Sequence, residues 1–265
     1  MNGRPCAVAG MFYPREPAHL GQLLEKFFRA APAGNQGADA LGIVSPHAGY
    51  IYSGAVAATA FSRISPDFSG TFVVIGPSHR GYLTCTSRIP WETPLGTVDI
   101  DTAFVDALDI SVDEYSHRSE HSLEVQLPFI RYRFPKARFV PIMMGEQGIG
   151  DAKRLAEQIL SAVNETKREI RIVASSDFSH YIPDDASRED DNTAIEALIT
   201  LDIPEFYRRI EDIGVSACGY GPISAMCLAA KGLGATHAEK LQYATSGDVT
   251  GDRDQVVGYA AIAVM

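Results

Sequence analysis

Cysteine is scarce in this chain, with four residues in 265. Cys6, Cys85, Cys218 and Cys227 stand far apart and form no C-x-x-C pair. That spacing argues against a disulfide framework and against a cysteine-based zinc knuckle. Basic residues are outnumbered, 23 Lys and Arg against 33 Asp and Glu, for a net charge of −10. Such a balance speaks against nucleic acid as a partner, which would need a basic face. Runs of like charge are short, so there is no charged tail. No apolar run approaches the roughly 18 residues of a membrane span. The opening "MNGRPCAVAGMFYP" lacks the long apolar core of a secretory signal. Gly/Ser-rich linkers, composition shifts and internal repeats are missing too. These absences predict a soluble, cytoplasmic protein built as a single domain over residues 1–265, and the 46% of hydrophobic residues is ample for its core.

What is present is an alternation of short apolar runs with longer amphipathic segments, the mark of an α/β sandwich. "LGIVSPH" (41–47), "TFVVIGPSH" (71–79), "ARFVPIMMG" (137–145), "EIRIVASSD" (169–177), "KLQYATSGD" (240–248) and "VVGYAAIAV" (256–264) read as core strands. Helices are expected over 19–30, 54–64, 150–163, 190–201 and 222–233. A further helix over about 120–133 contains Pro128, which should kink or break it. Residues 82–118 read as an excursion of short strands, and "WETPLG" (91–96), with the only tryptophan, either lids a pocket or packs at its rim.

His47, His79, Asp177 and Asp248 each follow a predicted core strand. In α/β sheets ligands bind beyond the carboxyl ends of the strands, so these four are candidates for one pocket. His47 in "SPHAGY" and His79 in "GPSHRG" each have a proline shortly before and a glycine two residues after. Two imidazoles with one carboxylate form a familiar ligand set for non-haem Fe(II), and the same set can hold zinc with a water. In "SSDFSHY", Asp177 and His180 are three residues apart, a spacing suited either to acid/base work or to a turn cap with a packed histidine. In "SEHSLEVQLPF", Ser119 reads as a helix cap and Glu120 and Glu124 as first-turn acids favoured by the helix dipole. Capping gives no reason for His121, and Glu120 and His121 are kept as pocket candidates. Cys218 in "SACGYGPI" either faces the pocket as a thiolate or is simply buried. His19, His117 and His237 read as ordinary surface or loop residues.

The segments "AGMFYP" (9–14), "SPHAGYIYSG" (45–54), "GPSH" (76–79), "EHSLEVQLPF" (120–129), "SSDFSHY" (175–181), "CGYGPI" (218–223) and "YATSGDVTGD" with "VVGYA" (243–260) follow the order and spacing of the Memo family. Its prokaryotic members are often called AmmeMemoRadiSam system protein B, and the chain resembles them from about residue 5 to its end. That family is similar in fold to the class III extradiol dioxygenases, whose non-haem iron is held by two histidines and a carboxylate. The resemblance implies an α/β sandwich with a mixed central sheet flanked by helices. It implies metal binding at His47 and His79, and pocket roles for Asp177 and His180, the latter as acid/base. Animal Memo proteins carry a cysteine in the loop before the last strand. An ungapped match puts Val249 there, and valine cannot bind a metal. Asp248 beside it, or else Cys218, is the expected replacement, and a site with weak or no metal binding is the remaining option.

The expectation is therefore a metal-dependent oxidoreductase in which His47, His79 and Asp248 hold Fe(II), with zinc or copper as alternatives. A small oxygenated substrate would give its proton to His180. The competing reading is a non-catalytic binding or scaffold protein. Animal Memo proteins are linked to phosphotyrosine peptides, and the prokaryotic name implies radical SAM and AMMECR-type partners. A zinc hydrolase is a third, weaker reading.

Overall fold

Four long apolar stretches with β-branched residues form strands that are buried along nearly their whole length, the pattern of parallel strands covered on both faces. A computed structural model describes residues 3–32 and 39–265. The chain begins with α1 (Pro17–Ala30), β1 (Gly42–Ser45), α2 (Tyr50–Phe61) and β2 (Thr71–Pro77). An excursion follows: β3 (Cys85–Thr86), β4 (Trp91–Thr93), β5 (Gly96–Val98), α3 (Thr102–Ala107) and α4 (Glu114–His117). A 3-10 turn, Glu124–Gln126, leads into α5 (Leu127–Arg133), β6 (Arg138–Met144), α6 (Ile149–Thr166) and β7 (Ile170–Ser175). The rest comprises β8 (His180–Ile182), α7 (Asp184–Ile199), α8 (Ile203–Ile213), α9 (Tyr220–Gly232), β9 (Ala238–Thr245), α10 (Gly247–Thr250) and β10 (Val256–Val264).

The central sheet is mixed, in the order β3-β6-β2-β7-β1-β10, with β8 and β9 both pairing to β10. β6, β2, β7 and β1 are parallel, and β10 runs antiparallel to β1. Helix α2 packs against β1, β9 and β10, while α9 packs against β1, β2 and β7; α1 and α6 then cover α2 and α9. One apolar core runs through the sheet and both helical layers. Fully burying a side chain such as Phe72 or Phe139 stabilises by about 1.5–3 kcal/mol. No described helix is long and apolar enough to cross a membrane.

All the core strands and the five helices expected over 19–30, 54–64, 150–163, 190–201 and 222–233 form, with shifted ends. The expected helix over 120–133 does not start at a Ser119 cap. It begins as the 3-10 turn at Glu124, and Pro128 sits in the first turn of α5, where its missing N–H costs nothing. α8 was not expected. It is capped by Asp202, carries Pro204 in its first turn and ends at Gly214 in the left-handed conformation. Trp91 is no lid. It is fully buried beneath the Arg4 guanidinium, 4.0 Å from its ring centre, and packs on Phe139 and His117. His117, expected at the surface, is likewise fully buried.

Candidate metal centre

Three adjacent parallel strands, β2, β7 and β1, end at the same edge of the sheet and release His79, Asp177 and His47 there. A fourth residue arrives from the side. Ser122 lies so close to β2 that a Cβ on Gly76 would meet its Oγ at 2.6 Å. The Ser122 hydroxyl donates to the Pro77 carbonyl at 3.1 Å, and this contact sets His121 beside His79. The ligand-capable atoms of His47, His79 and His121 all lie within 4.8 Å of one another. Ring centres are 5.2 Å apart for His47 and His79, 5.4 Å for His47 and His121, and 4.5 Å for His79 and His121.

The electrostatics favour neutral imidazoles at His47 and His121. Burial, then the neighbouring His121 and His79, push the pKa of His47 well below its ordinary value. Burial, then His79, lowers that of His121. Neutral imidazole is the ligand form, and a cluster of three suits zinc, copper, iron or nickel. The group can hold a divalent metal.

Glu120 organises two of the three rings. Its Oε1 accepts from His79 Nδ1 and from the backbone N–H groups of His121 and Ser122, each at 2.9 Å, while Oε2 accepts from the His79 N–H at 2.9 Å. Burial alone would raise this carboxyl, but the His79 hydrogen bonds and backbone donors hold it well below the usual carboxylate range. A carboxylate can only accept, so His79 carries its proton on Nδ1 and presents the Nε2 lone pair, the usual arrangement of a metal-bound histidine with a carboxylate behind it. His121 Nδ1 lies 3.4 Å from the same Oε1.

Asp177 and Cys218 also approach His47, both at its Nε2. Asp177 Oδ1 accepts the His47 backbone N–H at 2.8 Å, and Oδ2 lies 3.9 Å from His47 Nε2. Burial raises the Asp177 carboxyl to about 6, against the opposing backbone hydrogen bond from His47. Cys218 Sγ sits 3.2 Å from His47 Nε2 and 3.3 Å from the Asp177 N–H. Burial, then Asp177, pushes its thiol well up, so it is a neutral S–H here. His180, half-buried on β8, lies 3.0 Å through Nδ1 from the Ser216 carbonyl, which leaves the lone pair on Nε2. Tyr181 beside it has φ of 60° in the left-handed region, local strain of the kind that gathers at functional sites.

Asp248 is elsewhere. It binds Arg188 at 2.8 Å and Arg253 at 3.4 Å and accepts the Thr245 N–H at 3.0 Å. Burial raises its carboxyl, but Thr245 and Arg188 outweigh this and hold it low. The reason is topological: β9 runs in the same direction as β1, but β10 lies between them, so the end of β9 is displaced from the histidines. The third imidazole beside His47 and His79 belongs to His121, and Asp248 is not among the atoms that gather there. Sequence reading also missed three buried residues. Ser175 and Gln126 contact His47 or its neighbours, and Glu124 anchors the N-terminal segment. Glu124 does open the 3-10 turn, but as a buried anchor: it accepts from Arg4, the Ala7 and Val8 N–H groups and the Tyr13 hydroxyl. The available signal was polarity inside an apolar run, since Glu124 and Gln126 interrupt "SLEVQLPF".

Similarity to known proteins extends over nearly the whole chain. The family model described as Memo-like protein matches residues 4–263. A MEMO1 family protein of Methanosarcina barkeri is 44% identical over 267 residues, covering 98% of this chain and 99% of the relative. One from Archaeoglobus fulgidus is 44% identical over 260 residues, covering 96% and 97%. One from Methanothermobacter thermautotrophicus is 42% identical over 272 residues, covering 97% and 98%. With a family model spanning almost every residue and relatives of matching length, the chain belongs to the Memo family.

Proposed function

We propose that this protein is a metal-dependent enzyme, an oxidoreductase using Fe(II), that acts on a small oxygenated substrate. The observation that carries the reading is the cluster of three imidazoles directly beside a buried carboxyl that titrates near 6. A divalent metal held by His47, His79 and His121 supplies a Lewis acid and, if it is iron or copper, a redox centre. The protein's own groups do the proton work. His180 Nε2 carries a lone pair and takes a proton from a substrate hydroxyl. Asp177, whose carboxyl burial raises, lies within electrostatic range of His180. His47 takes no part in this transfer, because burial keeps it neutral.

The test is elemental analysis of protein purified without oxygen, beside a His47→Ala/His79→Ala double variant. Iron near one per chain that disappears in the variant, with oxygen uptake on substrate addition, supports the reading. Zinc in its place moves the reading to hydrolysis by zinc-bound water. No metal in either protein, even after reconstitution, overturns it. One observation favours a binding role as the alternative. Met11, Phe12, Leu23, Ile51 and Tyr52 line a mostly apolar groove of about 560 Å³, with Met11 73% and Ile51 67% exposed and Phe12 4.8 Å from the His121 ring. A protein that binds peptides or radical SAM and AMMECR-type partners there without turnover would retain its ligand after both histidines are removed.

A further inference from the structure

The hydrogen bonds around His47 admit one assignment of protons. Ser175 Oγ lies 2.6 Å from the Ser122 carbonyl, 2.8 Å from Gln126 Nε2 and 2.9 Å from His47 Nδ1. A hydroxyl has one proton and two lone pairs. The Ser122 carbonyl can only accept, so it takes the Ser175 proton. The Gln126 amide occupies one lone pair. The other is left for His47, whose Nδ1 must then carry a hydrogen.

The Gln126 amide cannot turn over to reverse this pattern. Its Nε2 also donates to the Pro46 carbonyl at 3.0 Å and lies 3.4 Å from the Ser45 carbonyl, so a flipped amide would point its oxygen at two carbonyl oxygens. Ser175 and Gln126 are both fully buried, and Gln126 Oε1 has no partner among the described residues. A buried orphan acceptor is unfavourable and has no packing reason here; it accompanies an amide committed through its NH₂ group.

We propose that Ser175, its hydroxyl pinned between the Ser122 carbonyl and the Gln126 amide, is a positioning residue that holds His47 as the Nδ1–H tautomer and so sets the metal affinity of the site. The role rests on the metal reading above. The chain of hydrogen bonds ends at a carbonyl and cannot pass a proton onward, so it makes His47 a ligand and not an acid or base. His79 reaches the same tautomer through the Glu120 carboxylate, so one segment, 120–126, fixes both rings, His79 directly and His47 through Ser175.

Two measurements test the assignment. In metal-free protein labelled with ¹⁵N, two-bond ¹H–¹⁵N correlations of the imidazoles read the His47 tautomer directly. The expected spectrum shows Nδ1–H alone, and an Nε2–H tautomer overturns the proposal whether or not any variant folds. Co(II) affinity of Ser175→Ala, from competition with a chelator, is expected to fall about 10–100-fold, with Ser175→Thr recovering most of the loss. A Ser175→Ala affinity within about twofold of the parent also overturns it, since a positioning partner should cost far more. A parent protein that binds no Co(II) would defeat the metal reading, and the tautomer spectrum would still decide the role of Ser175.

Discussion

Replacing Glu120 by glutamine keeps the shape of the side chain and removes only its ability to accept at both oxygens. The carboxylate takes four hydrogen bonds, three at Oε1 and one at Oε2, all at 2.9 Å. The new amide must point its NH₂ group at one of these sets. The less costly choice faces the His79 N–H, so that N–H loses its acceptor and the new amide, at a position only 1% exposed, sets its own unpaired donors against it. A buried unsatisfied donor costs about 1–3 kcal/mol. The three bonds at the other oxygen also lose their charge assistance, which roughly halves their strength. A total of about 2–4 kcal/mol follows, and in a chain of this size that lowers Tm by about 10 °C.

The same change reaches the metal site by a separate route. His79 Nδ1 would retain an acceptor in that orientation, but a neutral one, so its Nε2 becomes a weaker base. Loss of such a carboxylate partner typically costs 10–100-fold in metal affinity, or about 1.4–2.7 kcal/mol. The assay is urea unfolding without metal, followed by Zn(II) titration against a competing chelator at a temperature where the variant is folded. An unchanged unfolding midpoint with an affinity within about twofold of the parent would refute the role given to Glu120.

Three further outcomes follow from the same geometry. Asp248→Ala should leave metal affinity unchanged and cost about 1 kcal/mol or less, the scale of partly exposed ion pairs; a large loss of bound metal would restore Asp248 as a ligand. Gly258→Ala should destabilise severely, because a Cβ there would meet Asp191 Oδ2 at 2.1 Å and the Tyr243 hydroxyl at 2.6 Å. Asp191 holds the Ser179 N–H and hydroxyl next to His180, so this variant should also lower activity more than metal content, measured on the folded fraction. His117 gives a pH signature. Burial, then Arg4, lowers its pKa from 6.5 to about 4. Between those values the unfolded chain binds more protons, so stability rises with pH and is lost as pH falls towards 4. His117→Leu should therefore flatten the decline in unfolding free energy between pH 7 and 4.5 by about 2–3 kcal/mol. Parallel pH profiles for parent and variant would show that the buried ring does not act as described.

The strand ends were legible because period and composition are local. "TFVVIGPSH" and "EIRIVASSD" show where an apolar run stops and a polar loop starts, and both histidine loops and Asp177 fall at one sheet edge as expected. The order of strands is not local. Asp248 follows its strand just as His47 does, yet β10 lies between β9 and β1, and no property of the segment 240–248 reveals it. The error at residue 248 is thus an error about neighbours, with the element itself assigned correctly. The burial of His117 and Trp91 was not legible for a related reason. The excursion 82–118 has little periodicity, and these rings are buried by Arg4, which is far away in sequence.

The segment 119–129 shows why a polar residue inside an apolar run deserves more weight than a cap. As isolated sequence, Glu120 and Glu124 fit a helix start, and the dipole accounts for both. In the fold Glu120 precedes any helix and Glu124 opens the 3-10 turn, and their carboxylates are buried in different networks. Glu124 ties down the N-terminal segment that places Phe12 4.8 Å from His121. Glu120 fixes His79 and His121, and Gln126, one turn further, closes the hydrogen bonds behind His47 through Ser175. A short irregular stretch therefore reaches all three imidazoles. The three polar side chains in it are too costly to bury for packing alone, and each is nearly or fully buried. Exposed acids at a helix start tolerate replacement with little loss, whereas these three, each holding several buried donors or acceptors, should not.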